Sequence, residues 1–205
     1  GATGVRRMIL FAAAVFFLLI TPGPGVLSTA GVGAGHGFRA GLRYLTGLLI
    51  GTNIVAFGVI SGLAAVILAE PVVRWVLMGA SILYLLYLAA RIAFAGSKVA
   101  FVAAATAPGI GAGILLQAIN PKAYAVNTTL FAGFPYAPDS LVFETITKLL
   151  IVNAFWIPIH LGWLWAGASL HRLNLSDTAQ RRINYAMAAA MLGVVALALI
   201  AGDTR

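Results

Sequence analysis

The chain has 205 residues, of which 61% are hydrophobic and only 9% charged, with a mean hydropathy of +1.00. Soluble domains carry roughly 25% charged residues, so this composition excludes a water-soluble globule and marks an integral membrane protein. The net charge of +8 does not point to nucleic acid, because the 13 Lys and Arg stand singly or in pairs among apolar runs. No basic face is available to a phosphate backbone, and the excess reads as membrane topology. With no cysteine, disulfides, thiol catalysis and Cys-ligated metal are excluded as well.

A bilayer-crossing helix needs about 20 mostly apolar residues, and six segments meet that requirement. The first covers residues 5–35 and is interrupted at Thr21-Pro22-Gly23-Pro24-Gly25. The second, residues 40–69, stops before Glu70-Pro71, and the third, 72–95, is closed by Gly96-Ser97-Lys98. Residues 99–108 are apolar but too short to span, and suit an interfacial segment or a helix extension. The fourth covers 109–134 with an interruption at Asn120-Pro121-Lys122, and Pro135-Tyr136-Ala137-Pro138-Asp139 forms a turn. The fifth and sixth cover about 145–170 and 183–201. Arg6-Arg7 followed by residues 8–20 also fits a signal peptide. The double-proline break and further apolar sequence beyond it favour a retained first span, and the missing initiator Met implies residues ahead of Gly1.

Loop charges give an orientation. The 1–2, 3–4 and 5–6 connections hold seven basic residues, Arg39, Arg43, Arg91, Lys98, Arg172, Arg181 and Arg182. The opposite side holds five, Arg6, Arg7, Arg74, Lys148 and Arg205, with the acids Glu70, Asp139, Glu144 and Asp203. This places the odd-to-even loops in the cytoplasm and both termini outside.

The two interruptions match. Pro22 and Pro121 are 99 residues apart, each in the first helix of a three-helix set, and spans two and five begin about 100 residues apart. Sets of three spans enter a membrane with opposite orientation. The expected fold is therefore an all-α membrane domain over residues 1–205, built as two inverted repeats of about 5–96 and 109–202. Inverted repeats with broken helices are the architecture of secondary transporters, whose substrate site lies near the midplane at the breaks. Hydrocarbon cannot satisfy the backbone groups a break exposes, so they face protein or a wet cavity. A plain proline kink is the alternative at each break.

Thr21-Pro22-Gly23-Pro24-Gly25, then Gly35-His36-Gly37-Phe38-Arg39-Ala40-Gly41, then Asn120-Pro121-Lys122-Ala123 resemble, in order and spacing, the signature of the LysE/RhtB amino-acid exporter family. The resemblance covers nearly the whole chain. It implies efflux of amino acids or close derivatives across the bacterial inner membrane, driven by the membrane gradient. In one respect the chain departs from the family. Many members carry an acid in the second span after its Gly-rich stretch, and often another in the fifth. Here those stretches read Gly47-Leu48-Leu49-Ile50-Gly51-Thr52-Asn53 and Val152-Asn153-Ala154-Phe155-Trp156-Ile157-Pro158-Ile159-His160. All five acids are expected in loops or near the termini.

The candidate substrate site is Pro22, Gly23, Pro24 and Gly25 at the first break, Gln117, Asn120, Pro121 and Lys122 at the second, and Asn53 in the second span. Lys122 reads as the only Lys or Arg deep in a span, where a cation costs about 2.5–3.5 kcal/mol on insertion scales. It suits a substrate carboxylate beside half-helix N-termini, or equally carbonyls freed by Pro121. His160 reads as the sole ionisable group of the fifth span, fit for proton coupling or for a neutral hydrogen bond between helices. Asn53, Gln117, Asn120, Asn127 and Asn153 bridge helices or bind an amino-acid backbone. Gly37/Gly41, Gly47/Gly51 and Gly58/Gly62 repeat the spacing that lets helices approach closely. Neither a metal site nor a cofactor is expected.

With no acid in a span, the cargo suggested is a neutral amino acid or derivative. A channel should show polar rings along a pore, and an intramembrane enzyme a positioned nucleophile, base or metal; both readings, and that of a helical scaffold, fit these spans less well. The partners expected are the lipid bilayer and the substrate, self-association is compatible with the sequence, and nucleic acid is excluded.

Overall fold

The computed structural model describes residues 2–21, 23–93, 106–173 and 176–203. Pro22, Lys98, most of 99–108 and Arg205 lie outside them. The described chain is helical: α1 (Ala2–Ile20), α2 (Pro24–Ile60), α3 (Leu63–Ala69), α4 (Pro71–Ala93), α5 (Ile110–Ile119), α6 (Pro121–Gly133), α7 (Leu141–Arg172) and α8 (Asp177–Asp203). Among the described residues, three stretches are long and apolar enough to cross a membrane. They are Pro24–Ile60, Pro71–Ala90 and Leu141–Leu170, with mean hydropathies of 1.4, 1.8 and 1.5.

Both expected interruptions are present: α1 ends at Ile20 and α2 begins at Pro24, while Asn120 separates α5 from α6. In place of a loop between the first two spans, α2 runs from Pro24 to Ile60 with one non-helical residue, Gly37, at φ 81° and ψ 176°. Only glycine adopts that backbone without strain. The bend folds the two arms of α2 back on each other, so that the Tyr44 hydroxyl donates to Ser28 Oγ at 2.9 Å, both residues being fully buried. Gly62, at φ 75°, makes the corner before α3 in the same way. Gly37 and Gly62, read from spacing as helix-packing residues, are thus conformational.

Gly47, Gly51 and Gly113 do pack helices. A Cβ on Gly47 would strike the carbonyl of Ile110, and one on Gly113 would strike the backbone of Tyr44 and Leu48. The C-terminal arm of α2 therefore lies backbone to backbone on α5. Its N-terminal arm lies as closely on α7, where a Cβ on Gly167 would strike Ala30. Lipid tails are as apolar as Leu, so close packing of this kind, rather than burial from water, holds such helices together. One cluster of buried side chains, including Tyr44, Leu48, Leu88, Leu116, Trp156 and Leu164, joins α2, α4, α5 and α7. A second, with Phe11, Val15, Leu130, Tyr136 and Val152, joins α1, α6, α7 and the 134–140 turn.

Candidate functional site

The two breaks meet at one cavity. Thr21, Gly23 and Gly25 line it from the first, and Gln117, Asn120 and Lys122 from the second. Its free volume is about 50 Å³, enough to admit water. Leu18, Leu19, Val26, Val126, Val152 and Trp156 form apolar walls. Thr52, Asn127 and His160 add polar groups.

Each break is positioned by its own hydrogen bonds. The buried hydroxyls of Ser28 and Thr29 both donate to the carbonyl of Gly25, at 3.0 and 2.7 Å, tying down the first turn of α2. Its N-cap, Gly23, has no side chain to offer, and the first helical bond runs from Leu27 N–H to the Gly23 carbonyl. The N–H groups of Gly25 and Val26 therefore have no acceptor within the helix.

The start of α6 is closed by contrast. Asn120 Oδ1 accepts from the N–H of Lys122 at 3.0 Å, and Asn120 Nδ2 donates to Gln117 Oε1 at 3.2 Å. Pro121 has no N–H to give the carbonyl of Gln117, which accepts from the N–H of Asn120 at 3.3 Å. The carbonyl of Ala118, freed by the same break, accepts from the Tyr124 hydroxyl at 2.7 Å. One half-helix start is thus capped by its own side chain, and the other, which lines the cavity, has no side-chain cap.

Lys122 crosses from one break to the other. Its Nζ donates to the carbonyl of Thr21 at 2.6 Å, where a cation also complements the C-terminus of α1. The half-buried side chain lines the cavity, and it is held by a carbonyl of the first break rather than by one that Pro121 frees. His160 is 4% exposed. Its ring stacks on Trp156, centroids 3.6 Å apart and planes 12° apart, and its Nδ1 lies 2.9 Å from the Trp156 carbonyl. Gly25 sits against Nε2.

Of the residues expected at the site, Gly23, Gly25, Gln117, Asn120, Lys122 and His160 line the cavity. Pro24 and Pro121 open the two half-helices beside it without lining it. Asn53 is elsewhere: its amide pairs with that of Asn153.

Two charged residues expected in a loop are instead inside the protein. Glu144 and Lys148 form an ion pair of 2.8 Å on α7, with side chains about 10% and 2% exposed. Glu144 Oε2 accepts from the N–H groups of Tyr136 and Ala137 at 2.8 and 2.7 Å. Lys148 Nζ donates to the carbonyl of Phe131 at 3.1 Å and lies 5.6 and 5.7 Å from the ring centres of Phe11 and Tyr136. Lys122 is therefore not the only lysine within the helices, nor His160 the only ionisable group of α7. The i,i+4 spacing of Glu and Lys was the available signal.

The profile of the LysE type translocator family matches residues 16–202. The chain belongs to that family. It is a multi-pass membrane protein of the translocator class. The translocator is 29% identical over 136 residues to the leucine efflux proteins of Enterobacter sp. (strain 638) and Salmonella typhimurium (strain LT2). It is 26% identical over 137 residues to that of Klebsiella pneumoniae. Each match covers 64% of this chain, and the translocator spans 64% of the length of these relatives. No solved structure matches it at a significant level.

Proposed function

We propose that this translocator exports neutral amino acids by alternating access, from the cavity between the two helix breaks. One observation carries the reading. Among the described residues, the cavity lining combines a lysine and an uncapped helix start with apolar walls, and holds no Asp or Glu. The free N–H groups of Gly25 and Val26 and the Lys122 ammonium favour a carboxylate. The side-chain oxygens of Gln117 and Asn120 suit an ammonium. An aliphatic side chain lies along Leu19, Val126 and Trp156, whereas a side-chain cation would meet Lys122 with no carboxylate to neutralise it. The names of the leucine efflux relatives agree with a neutral cargo.

The architecture proposed is a single domain of six spans in two inverted repeats, about 5–96 and 109–202. The Asn53–Asn153 pair, 100 residues apart, supports it, as do the matched breaks. In loop charge, Lys148 no longer counts, being paired inside α7. Seven basic residues then face four, Arg6, Arg7, Arg74 and Arg205, which favours both termini outside the bacterial inner membrane. Tags in residues 172–182 accessible from outside the cell would reverse that orientation. Proton-motive force is the proposed driver, with His160 the coupling group.

The test is export from cells fed dipeptides, comparing the intact gene with its deletion while intracellular amino acids are quantified. Neutral amino acids should accumulate in the deletion; unchanged pools would reject the reading.

A further inference from the structure

We propose that the α-ammonium of the substrate and the coupling proton compete for one atom, Nε2 of His160, so that amino acid and proton bind in turn and never together. The inference rests on the export reading and adds to it the place and the stoichiometry of coupling.

The tautomer is fixed by a neighbour. Nδ1 of His160 lies 2.9 Å from the carbonyl oxygen of Trp156. A carbonyl oxygen only accepts, so Nδ1 carries the hydrogen. The stack on Trp156, 3.6 Å between ring centres, keeps the ring from turning over. In the neutral imidazole, Nε2 is then a lone-pair acceptor. It points at the first turn of α2, since a Cβ on Gly25 would lie 3.5 Å from it. That turn carries the free N–H groups assigned to the substrate carboxylate, and the α-ammonium is tethered one carbon away from that carboxylate. The geometry therefore puts an ammonium donor within reach of an acceptor that can carry it only while unprotonated.

The surroundings leave few other proton carriers. Among the residues that line the cavity with His160, α6 contributes Lys122, and α7 contributes Trp156. From α2 come Gly25, Val26 and Thr52, from α5 Gln117, and from α1 Leu18 and Leu19. Lys122 is the charged member of that set, and His160 its imidazole. A proton on Nε2 turns the acceptor into a donor and expels the ammonium; an ammonium on Nε2 excludes the proton. Mutual exclusion on one site is what exchange of two solutes requires. One proton enters for each zwitterion that leaves, and because the zwitterion has no net charge, each turnover moves one positive charge inward.

The test uses the full chain in proteoliposomes, with leucine as probe. Below the titration of His160, the apparent Kd for leucine should rise about tenfold per pH unit, as linkage of two exclusive ligands demands. Inhibition by 4-methylpentanoate, the same skeleton without the ammonium, should not weaken in that way. In His160→Gln, which keeps an acceptor but cannot titrate, the pH dependence of the leucine Kd, pH-driven accumulation and leucine-coupled proton flux should all be lost. A wild-type Kd independent of pH, or a variant that still accumulates leucine on a pH gradient, would overturn the proposal. The wild-type pH series decides the matter even where the variant does not fold. Wild-type protein with no counterflow of any amino acid would instead overturn the export reading, and this inference with it.

Discussion

Asn53 on α2 and Asn153 on α7 exchange their side-chain amides: each Nδ2 donates to the other's Oδ1, at 2.9 and 3.0 Å. Each Nδ2 also donates to the carbonyl four residues back, Leu49 and Leu149, at 2.9 Å. The two residues are 100 positions apart and make identical contacts. A residue near a two-fold axis meets its own counterpart, so this pair is what two inverted halves would produce where the axis passes between them.

Asn53→Leu should lower the unfolding free energy of the purified protein in detergent by about 1 kcal/mol, for two interhelical bonds of typical strength. Asn153→Leu should do the same, and the double variant should lose clearly less than the two together. Additive losses would show that the amides do not act on each other.

The Glu144–Lys148 pair fastens the start of α7 to the 134–140 turn, to the end of α6 and to Phe11 of α1. Removing one partner leaves a buried charge, so Lys148→Met should cost about 3–5 kcal/mol. Replacing both, Glu144→Gln with Lys148→Met, should recover much of that loss. Thermal unfolding of the three variants checks the order, and a double variant worse than either single one would contradict it.

Gly113→Leu should strongly deplete folded protein, because its side chain meets the backbone of Tyr44 and Leu48, which cannot move aside as a side chain does. Overpacking of this sort costs on the order of 1–3 kcal/mol. Gly111→Ala, two residues earlier on α5 and facing open space, should be neutral or stabilising by up to about 1 kcal/mol. The yield of monodisperse protein separates the two.

Lys122→Met should leave the fold intact and reduce leucine transport on the order of tenfold or more, the worth of one charge-assisted hydrogen bond. Gly23→Ala should have a smaller effect. Its Cβ would lie 2.7 Å from Lys122 Cδ and 3.0 Å from Nζ, pushing the flexible tip away from Thr21 without removing the charge. Unchanged transport in Lys122→Met would leave that residue a purely structural tie between the breaks.

The breaks were legible in the sequence because proline lacks an N–H, whatever packs around it. Gly37 reads from its spacing as a packing residue and not as a one-residue bend, since only the packing of Tyr44 on Ser28 shows how sharply the arms fold. The burial of Glu144 and Lys148 was not legible. It depends on Phe11, Phe131 and the 136–137 backbone, which are brought together only by the fold. Asn53 illustrates the same limit: an amide in an apolar helix has equal chemistry for a substrate or a partner helix, and its partner stands 100 residues away.

Counterflow tests most directly whether the cavity between the breaks carries a neutral amino acid. Proteoliposomes loaded with unlabelled leucine should take up labelled leucine rapidly, unlabelled threonine inside should also drive uptake, and Lys122→Met should slow the exchange. Lysine or arginine inside should not drive it, there being no carboxylate among the described cavity-lining residues. Exchange driven by lysine or arginine as fast as by leucine would contradict the account.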